Sequence, residues 1–173
     1  MAIIKRTNTE NTDFNLSKKE KDFIQRWQEI PFNVEACIKN LGIQILKEDM
    51  NDLSAYIEKR SNGQWVIGIN KYHHPSRQRF SMAHELGHFI NDQDFFKTES
   101  RLDDIILLRT NSINEREIKA NEFASEILIP SKIFTDLIVN KGERNIIQLA
   151  SFFDVSPAAI KYKAFRLGLI SRY

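Results

Sequence analysis

At 173 residues the chain has room for one domain, or one domain with a small appendage. Its hydrophobic share of 42% and charged share of 28% are those of an ordinary globular protein, which excludes a low-complexity or disordered class. A net charge of +2 excludes the strong basic excess of a bulk nucleic-acid binder, and the single cysteine, Cys37, excludes a disulfide framework or a thiolate-rich metal site.

Residues 1–16 are polar, rich in Asn and Thr, and are expected to form a flexible arm. They lack the apolar core of a signal peptide, and no run reaches the roughly 18 apolar residues of a membrane helix, so a cytoplasmic protein with no membrane partner is expected. Ser17 with Glu20 forms a capping-box pattern that starts a helix running to about Glu29. Pro31 breaks it, and a second helix from Asn33 to Leu41 ends at Gly42. The period then shifts to that of strands: Ile43–Lys47, Ser54–Lys59 and Gln64–Asn70, the last two joined as a hairpin through Ser61-Asn62-Gly63. Gln64–Asn70 is read as an exposed edge that could take up an extended peptide by strand addition.

Pro75 and Ser76 open a helix to about Ile90. Residues 91–112 carry mixed signals, with an apolar patch at Ile105–Leu108, and support no assignment. A long helix follows from about Asn114 to Ile129, stopped by Pro130, and then helical segments near 131–140, 145–153 and 156–167.

The run His84-Glu85-Leu86-Gly87-His88 lies inside the first of these long helices. Residues four apart sit one turn from each other on one face, so two imidazoles can converge on a metal ion while the adjacent Glu reaches its water. On a helical wheel Met82, Leu86, Phe89 and Ile90 form the core stripe. His84 and His88 fall about 40° apart and nearly opposite it, which predicts imidazoles open to a cleft. Gly87, between stripe and histidines, marks a close approach of another backbone or of the metal.

A catalytic zinc takes three protein ligands and leaves a position for water. The second long helix offers Glu115, Glu117, Glu122 and Glu126. Of these, Glu117 shares an edge with Asn121, Ala124 and Leu128 beside the apolar face of Ala120, Phe123 and Ile127, whereas the others cluster with Lys119 on an expected solvated side. Only Glu117 thus sits where it could face inward as a third ligand, with Asn121 one turn on to orient a ligand imidazole by hydrogen bond. Tyr72, His73 and His74, just before the first motif helix, are candidate oxyanion donors.

The segments RQRFSMAHELGHFI and EIKANEFASEILIP, with IPFNVEACIKNLGIQI and QWVIGIN upstream, resemble the ImmA/IrrE family of bacterial metallopeptidases from about residue 17 onward. The resemblance implies a gluzincin-like site: His84, His88 and Glu117 as ligands to one zinc ion, and Glu85 as the catalytic base. The family's third ligand stands three residues before an Ala-Asn pair, which here is Ala120-Asn121. Phe89-Ile90-Asn91 departs from the Leu-Leu-His common in the family, without catalytic consequence.

The expected fold is α+β and zincin-like: a small, mostly antiparallel sheet packed on the motif helix, with a C-terminal helix-turn-helix-like segment. The expected organisation is the arm over 1–16, a catalytic domain over 17–130 and a helical subdomain over 131–173 packed on it. Ala150, Asp154 and Ile160 have helix-turn-helix spacing, with Asp154 at the left-handed turn and Ser156-Pro157 opening the second helix. Lys141, Arg144, Lys161, Lys163, Arg166 and Arg172 outnumber Glu143 and Asp154, as suits DNA. Yet Tyr162 and Phe165 share the outer face with Lys161 and Arg166, which favours packing on the catalytic body or a docking partner over DNA contact.

The function implied is zinc-dependent hydrolysis of a peptide bond in a cytosolic protein; family resemblance suggests a helix-turn-helix transcriptional repressor as substrate. The competing reading is a non-catalytic regulatory or DNA-binding module with a structural or vestigial metal site. The complete His, Glu, His, Glu set argues against decay.

Overall fold

The computed structural model describes residues 16–27, 29–103 and 113–171. The expected arm and the Ile105–Leu108 patch lie outside them, apart from Leu16. Helix α1 spans Lys18–Arg26 and has the expected reciprocal capping: Ser17 Oγ accepts from Glu20 N, and Glu20 accepts from Ser17 N. Helix α2, Val34–Asn40, is capped by the Asn33 side chain, and its exit runs through Gly42 at φ +75°. Strands β1 (Gln44–Glu48), β2 (Ala55–Lys59) and β3 (Trp65–Asn70) precede helix α3, Pro75–Asn91. A short strand β4, Arg101–Asp103, then leads towards helix α4, Ile113–Leu128.

The sheet order is β1-β3-β2-β4, with β1 parallel to β3 and β2 antiparallel to both β3 and β4. This is an α+β fold with a mixed, mainly antiparallel sheet. One expectation is overturned: β3 is paired on both sides and cannot accept a further strand. Its burial explains the place: Val66 through Asn70 are all buried, as befits a central strand. Among the described residues the sheet ends instead at β1 and β4.

Helix α3 lies against β2, β3 and, most extensively, α4. Ile57, Ile67, Ile69, Leu86 and Phe123 are fully buried in one apolar cluster with Met82 and Ile90. At Gly87 the helices approach closely: a Cβ there would lie 3.1 Å from Ala120 Cα and 3.3 Å from Ala120 O, so the helical Gly marks the approach of a second backbone. Helix α1 docks at the far end of α3. Glu20, 2% exposed, accepts from Asn91 Nδ2 at 2.9 Å, and Lys19 donates to the Ile90 carbonyl. Phe89 meets Trp65 of β3 edge-on at 5.1 Å. The family departure at Phe89-Ile90-Asn91 is thus absorbed in packing.

The C-terminal segment comprises helix α5 (Ser131–Thr135, continued by a π-helical turn over Asp136–Asn140), α6 (Ile146–Phe153) and α7 (Pro157–Arg166). Asp154 adopts φ 52°, ψ 53° between α6 and α7, and Ser156 caps α7 with Pro157 following. Leu149, Phe153, Ile160 and Ala164 join the same buried cluster as Leu86 and Phe123. Three polar clasps fasten this segment to the rest. Arg79 of α3 pairs with Asp154 at 3.3 Å and donates to its carbonyl at 2.9 Å. Lys163 pairs with Glu126 at 2.7 Å, and Arg166 with Glu122 at 2.7 Å.

Two expectations are corrected here. Glu122 and Glu126 do not form a solvated surface with Glu115; their side chains are 13% and 17% exposed and face basic residues of α7. Tyr162 and Phe165 are 42% and 43% exposed, so the face turned to the body is instead Ile160, Lys163, Ala164 and Leu167. These sit at i, i+3, i+4 and i+7, one stripe of a helix, and the long Lys163 stem serves as apolar filling.

Substituting Gly87→Val should force α3 and α4 apart and lower the urea-unfolding free energy by about 2 kcal/mol. Burial, opposed by Glu126, draws the Lys163 pKa down from 10.5 to about 8. Between those pH values the unfolded chain keeps a proton that the folded chain has released, so the residue's contribution to stability rises across that window and is flat below it. Lys163→Met should flatten that pH dependence, because Met has no proton to release. The wild type's advantage should widen from pH 8 to 10.5 in urea titrations; a constant gap would contradict the assignment.

Candidate metal centre

The three side chains able to hold a metal ion come from two helices that approach each other closely at Gly87. On α3, His84 and His88 are one turn apart, with Nε2 atoms 3.0 Å from each other. Across from them, on α4, Glu117 places Oε2 3.2 Å from His84 Nε2 and Oε1 2.9 Å from His88 Nε2. A tetrahedral ion with bonds of about 2.0–2.1 Å holds its ligands about 3.3 Å apart, and the observed separations agree within a few tenths of an ångström. Among the described residues, these three form the cluster of His, Cys, Asp or Glu able to hold an ion.

Hydrogen bonding behind the imidazoles fixes which nitrogen is available. His84 Nδ1 lies 3.0 Å from Asn121 Oδ1, and His88 Nδ1 lies 2.7 Å from Asp92 Oδ2. An amide oxygen and a carboxylate both require a proton from Nδ1, so each Nε2 presents a lone pair. Those lone pairs then face each other and a carboxylate. With Nδ1 protonated, His88 Nε2, 2.9 Å away, gives the buried Glu117 Oε1 a donor only when the ring takes up a second proton. Two neutral imidazoles and a carboxylate converging this way fit a divalent ion such as zinc.

The field at this point is strongly cation-seeking. Burial opposes a charge on His88, but its bonds to Asp92 and Glu117 and the nearby Glu85 charge outweigh burial and raise its pKa to about 10. For Glu117 burial pulls upward, yet the bonds and charges of His84 and His88 prevail and lower it to about 2. Asp92 is further steadied by Arg116, whose Nε lies 3.5 Å from Oδ1.

His84 is 13% exposed, but His88 only 1%, which corrects the expectation of two cleft-facing imidazoles. The helical wheel treats the side opposite the stripe as open; here α4 covers it. Glu85 is 5% exposed and close enough for its charge to act on His88. The three candidate oxyanion donors lie before α3. His74 Nδ1 accepts from Ser76 N at 3.2 Å and caps the helix. Tyr72 is 70% exposed, with the Lys71 ammonium 4.9 Å above its ring. His73 keeps a buried Nδ1 without a hydrogen-bond partner. Cys37 lies in the core, its thiol pushed up to about 12 by burial, and takes no part.

Asp92 is the residue that sequence reasoning missed. It stands four after His88, the same one-turn spacing that links the two histidines, so the signal was present. A cavity of ≈ 520 Å³ lies on the Asn121 side of His84, lined by Phe80, Asn121, Leu128, Val155, Ala159 and Tyr162 among others.

A helix-borne pair of histidines and a Glu from a second helix, under a small mixed sheet, define a metallopeptidase-like site. The family model described as the IrrE N-terminal-like domain, a peptidase family, matches residues 38–165. The chain belongs to this ImmA/IrrE family of metallopeptidases. It is 26% identical over 132 residues to the metallopeptidase ImmA of Bacillus subtilis (strain 168), covering 75% of this chain and 73% of that one. Its fold is similar to a solved structure of a Mycobacterium tuberculosis transcriptional regulator, with TM-score 0.55 and 15% identity. That match covers 86% of this chain and 46% of the other, so the chain spans about half of that structure's length. Among the described residues no helix is long and apolar enough to cross a membrane.

Removing the carboxylate behind His88 should loosen the centre without dissolving it. Asp92→Ala is expected to weaken zinc affinity by about 10-fold to 100-fold in competition with a chromophoric chelator. An unchanged affinity would show that Asp92 does not orient the imidazole.

Proposed function

We propose that this protein is a zinc-dependent endopeptidase that cleaves a peptide bond in a cytoplasmic protein, and that a transcriptional repressor is the substrate class. The observation that carries the reading is the convergence of His84 Nε2, His88 Nε2 and the Glu117 carboxylate within 3.2 Å of one another, with Glu85 buried one residue from His84. Membership of a metallopeptidase family supports it, and the name of the Bacillus relative agrees. The repressor rests on the ImmA/IrrE resemblance.

His84, His88 and Glu117 would hold the ion. When bound, zinc would polarise the scissile carbonyl and shift the acidity of water towards neutrality. Glu85 takes the proton from the attacking water on its carboxylate and passes it to the departing amine nitrogen. Its burial keeps that carboxylate out of bulk solvent. Asn121 and Asp92 hold the imidazoles in the tautomer that offers Nε2. Glu117 supplies negative charge at the centre. Tyr72, His73 and His74 stay as candidate donors to the oxyanion; His73 is the favoured one, because the Tyr72 ring is exposed and His74 caps α3. In this reading 17–130 is the catalytic body, and 131–173 is a subdomain fixed on it.

A binding-only role for the C-terminal segment receives little support, because Lys163 and Arg166 are engaged with Glu126 and Glu122. Glu85→Gln should keep one equivalent of zinc by elemental analysis while losing at least about 100-fold in the rate of cleaving a proteome-derived peptide mixture. A variant as active as the wild type would sink the peptidase reading.

A further inference from the structure

The cavity of ≈ 520 Å³ between α3, α4 and the start of α7 falls within the range of about 300–1,000 Å³ usual for small-molecule sites. It is separate from the metal centre, since none of His84, Glu85, His88 or Glu117 lines it. Asn121 joins the two, through the Nδ1 of His84 rather than the Nε2 that faces Glu117. The lining changes character with depth. Arg77 and Ala158 are exposed and form a rim, whereas Leu128 is 2% exposed and forms the floor. Phe80, Val155 and Ala159 make apolar walls. Asn121 and Ser125, one turn apart on α4, lay a polar strip along one side.

We infer that this cavity binds a small carboxylate with an apolar chain and one further hydrogen-bonding oxygen. Its carboxylate sits at the Arg77 rim, and its second oxygen meets Ser125. Each part answers an observation. No described acidic residue lines the cavity, and the Arg77 guanidinium is anchored there by donating to Ser54 Oγ at 2.9 Å. The positive end of the ten-residue α7 adds to that field. Ser156 Oγ accepts from Ala159 N and Pro157 has no N–H, so the Ala158 N–H is the first-turn donor left for an anion. Deeper in, Ser125 is 9% exposed, and its hydroxyl makes no hydrogen bond among the described residues. A hydroxyl buried without a partner is costly, and an oxygen on the occupant supplies the partner. The apolar walls take the chain. The clasps Arg79–Asp154, Lys163–Glu126 and Arg166–Glu122 hold α7 against α3 and α4, so the site is largely preformed. Such an occupant lies one hydrogen bond from His84 and leaves the ion's solvent position open.

Calorimetry on the full-length protein, with and without zinc, tests this with three probes: 3-hydroxyoctanoate, octanoate and the methyl ester of 3-hydroxyoctanoate. The hydroxy acid should bind one equivalent, about 5-fold more tightly than octanoate and at least about 10-fold more tightly than the uncharged ester. Ser125→Ala should bring the two acids to parity, and Arg77→Gln should bring the acid and the ester to parity. Both replacements are small, and circular dichroism checks that each variant is folded. Binding should be the same with and without zinc, because the cavity excludes the ion's ligands. No heat with any probe, or acid binding that vanishes when zinc is removed, would overturn the site. So would preferences that both variants leave intact. None of these readouts involves peptide cleavage, so failure here and failure of the peptidase reading are distinguishable.

Discussion

The approach of α3 to α4 at Gly87 governs the distance between everything that matters chemically. Two imidazoles and a carboxylate on separate helices can share one ion only if the helix backbones are held at a fixed, short separation. The missing Cβ of Gly87 and the small Ala120 opposite it allow that closeness. The sheet behind α3, the apolar cluster around Leu86 and Phe123, and the α1 contact at Asn91 all hold α3 in the orientation that preserves it.

Around that contact the polar groups are layered. The innermost three present lone pairs to one point, and the next layer, Asn121, Asp92 and Arg116, decides which atoms do so. The arrangement would be unfavourable in an empty apolar interior, since acceptors face acceptors. A cation turns the same repulsion into attraction. This explains why His88 is held as a proton acceptor far above the usual histidine range even though burial opposes it.

The C-terminal helices show how a familiar spacing can serve a different end. Asp154 takes the left-handed turn of a helix-turn-helix spacing, but the same residue is gripped by Arg79 from the helix that carries His84 and His88. Basic residues of α7 that could have met phosphates instead meet Glu122 and Glu126 of the helix that carries Glu117. The charges of Lys163 and Arg166, which looked available in the composition, are neutralised within the molecule.

The sequence by itself determined the local parts: the helices from their caps and breakers, the hairpin from its turn, the histidine pair from its one-turn spacing, and Glu117 from its place on an amphipathic edge. These are legible because they depend on contacts within a few residues. Tertiary structure decided what depends on neighbours distant in the chain. It placed β3 at the centre of the sheet, buried His88 beneath α4, and drew Glu122, Glu126 and Lys163 out of solvent. It also created the cavity beside His84 from three helices that the chain order keeps far apart. A wheel ranks the faces of one helix, but which polar face is covered depends on what packs there, and that is a property of the assembled fold.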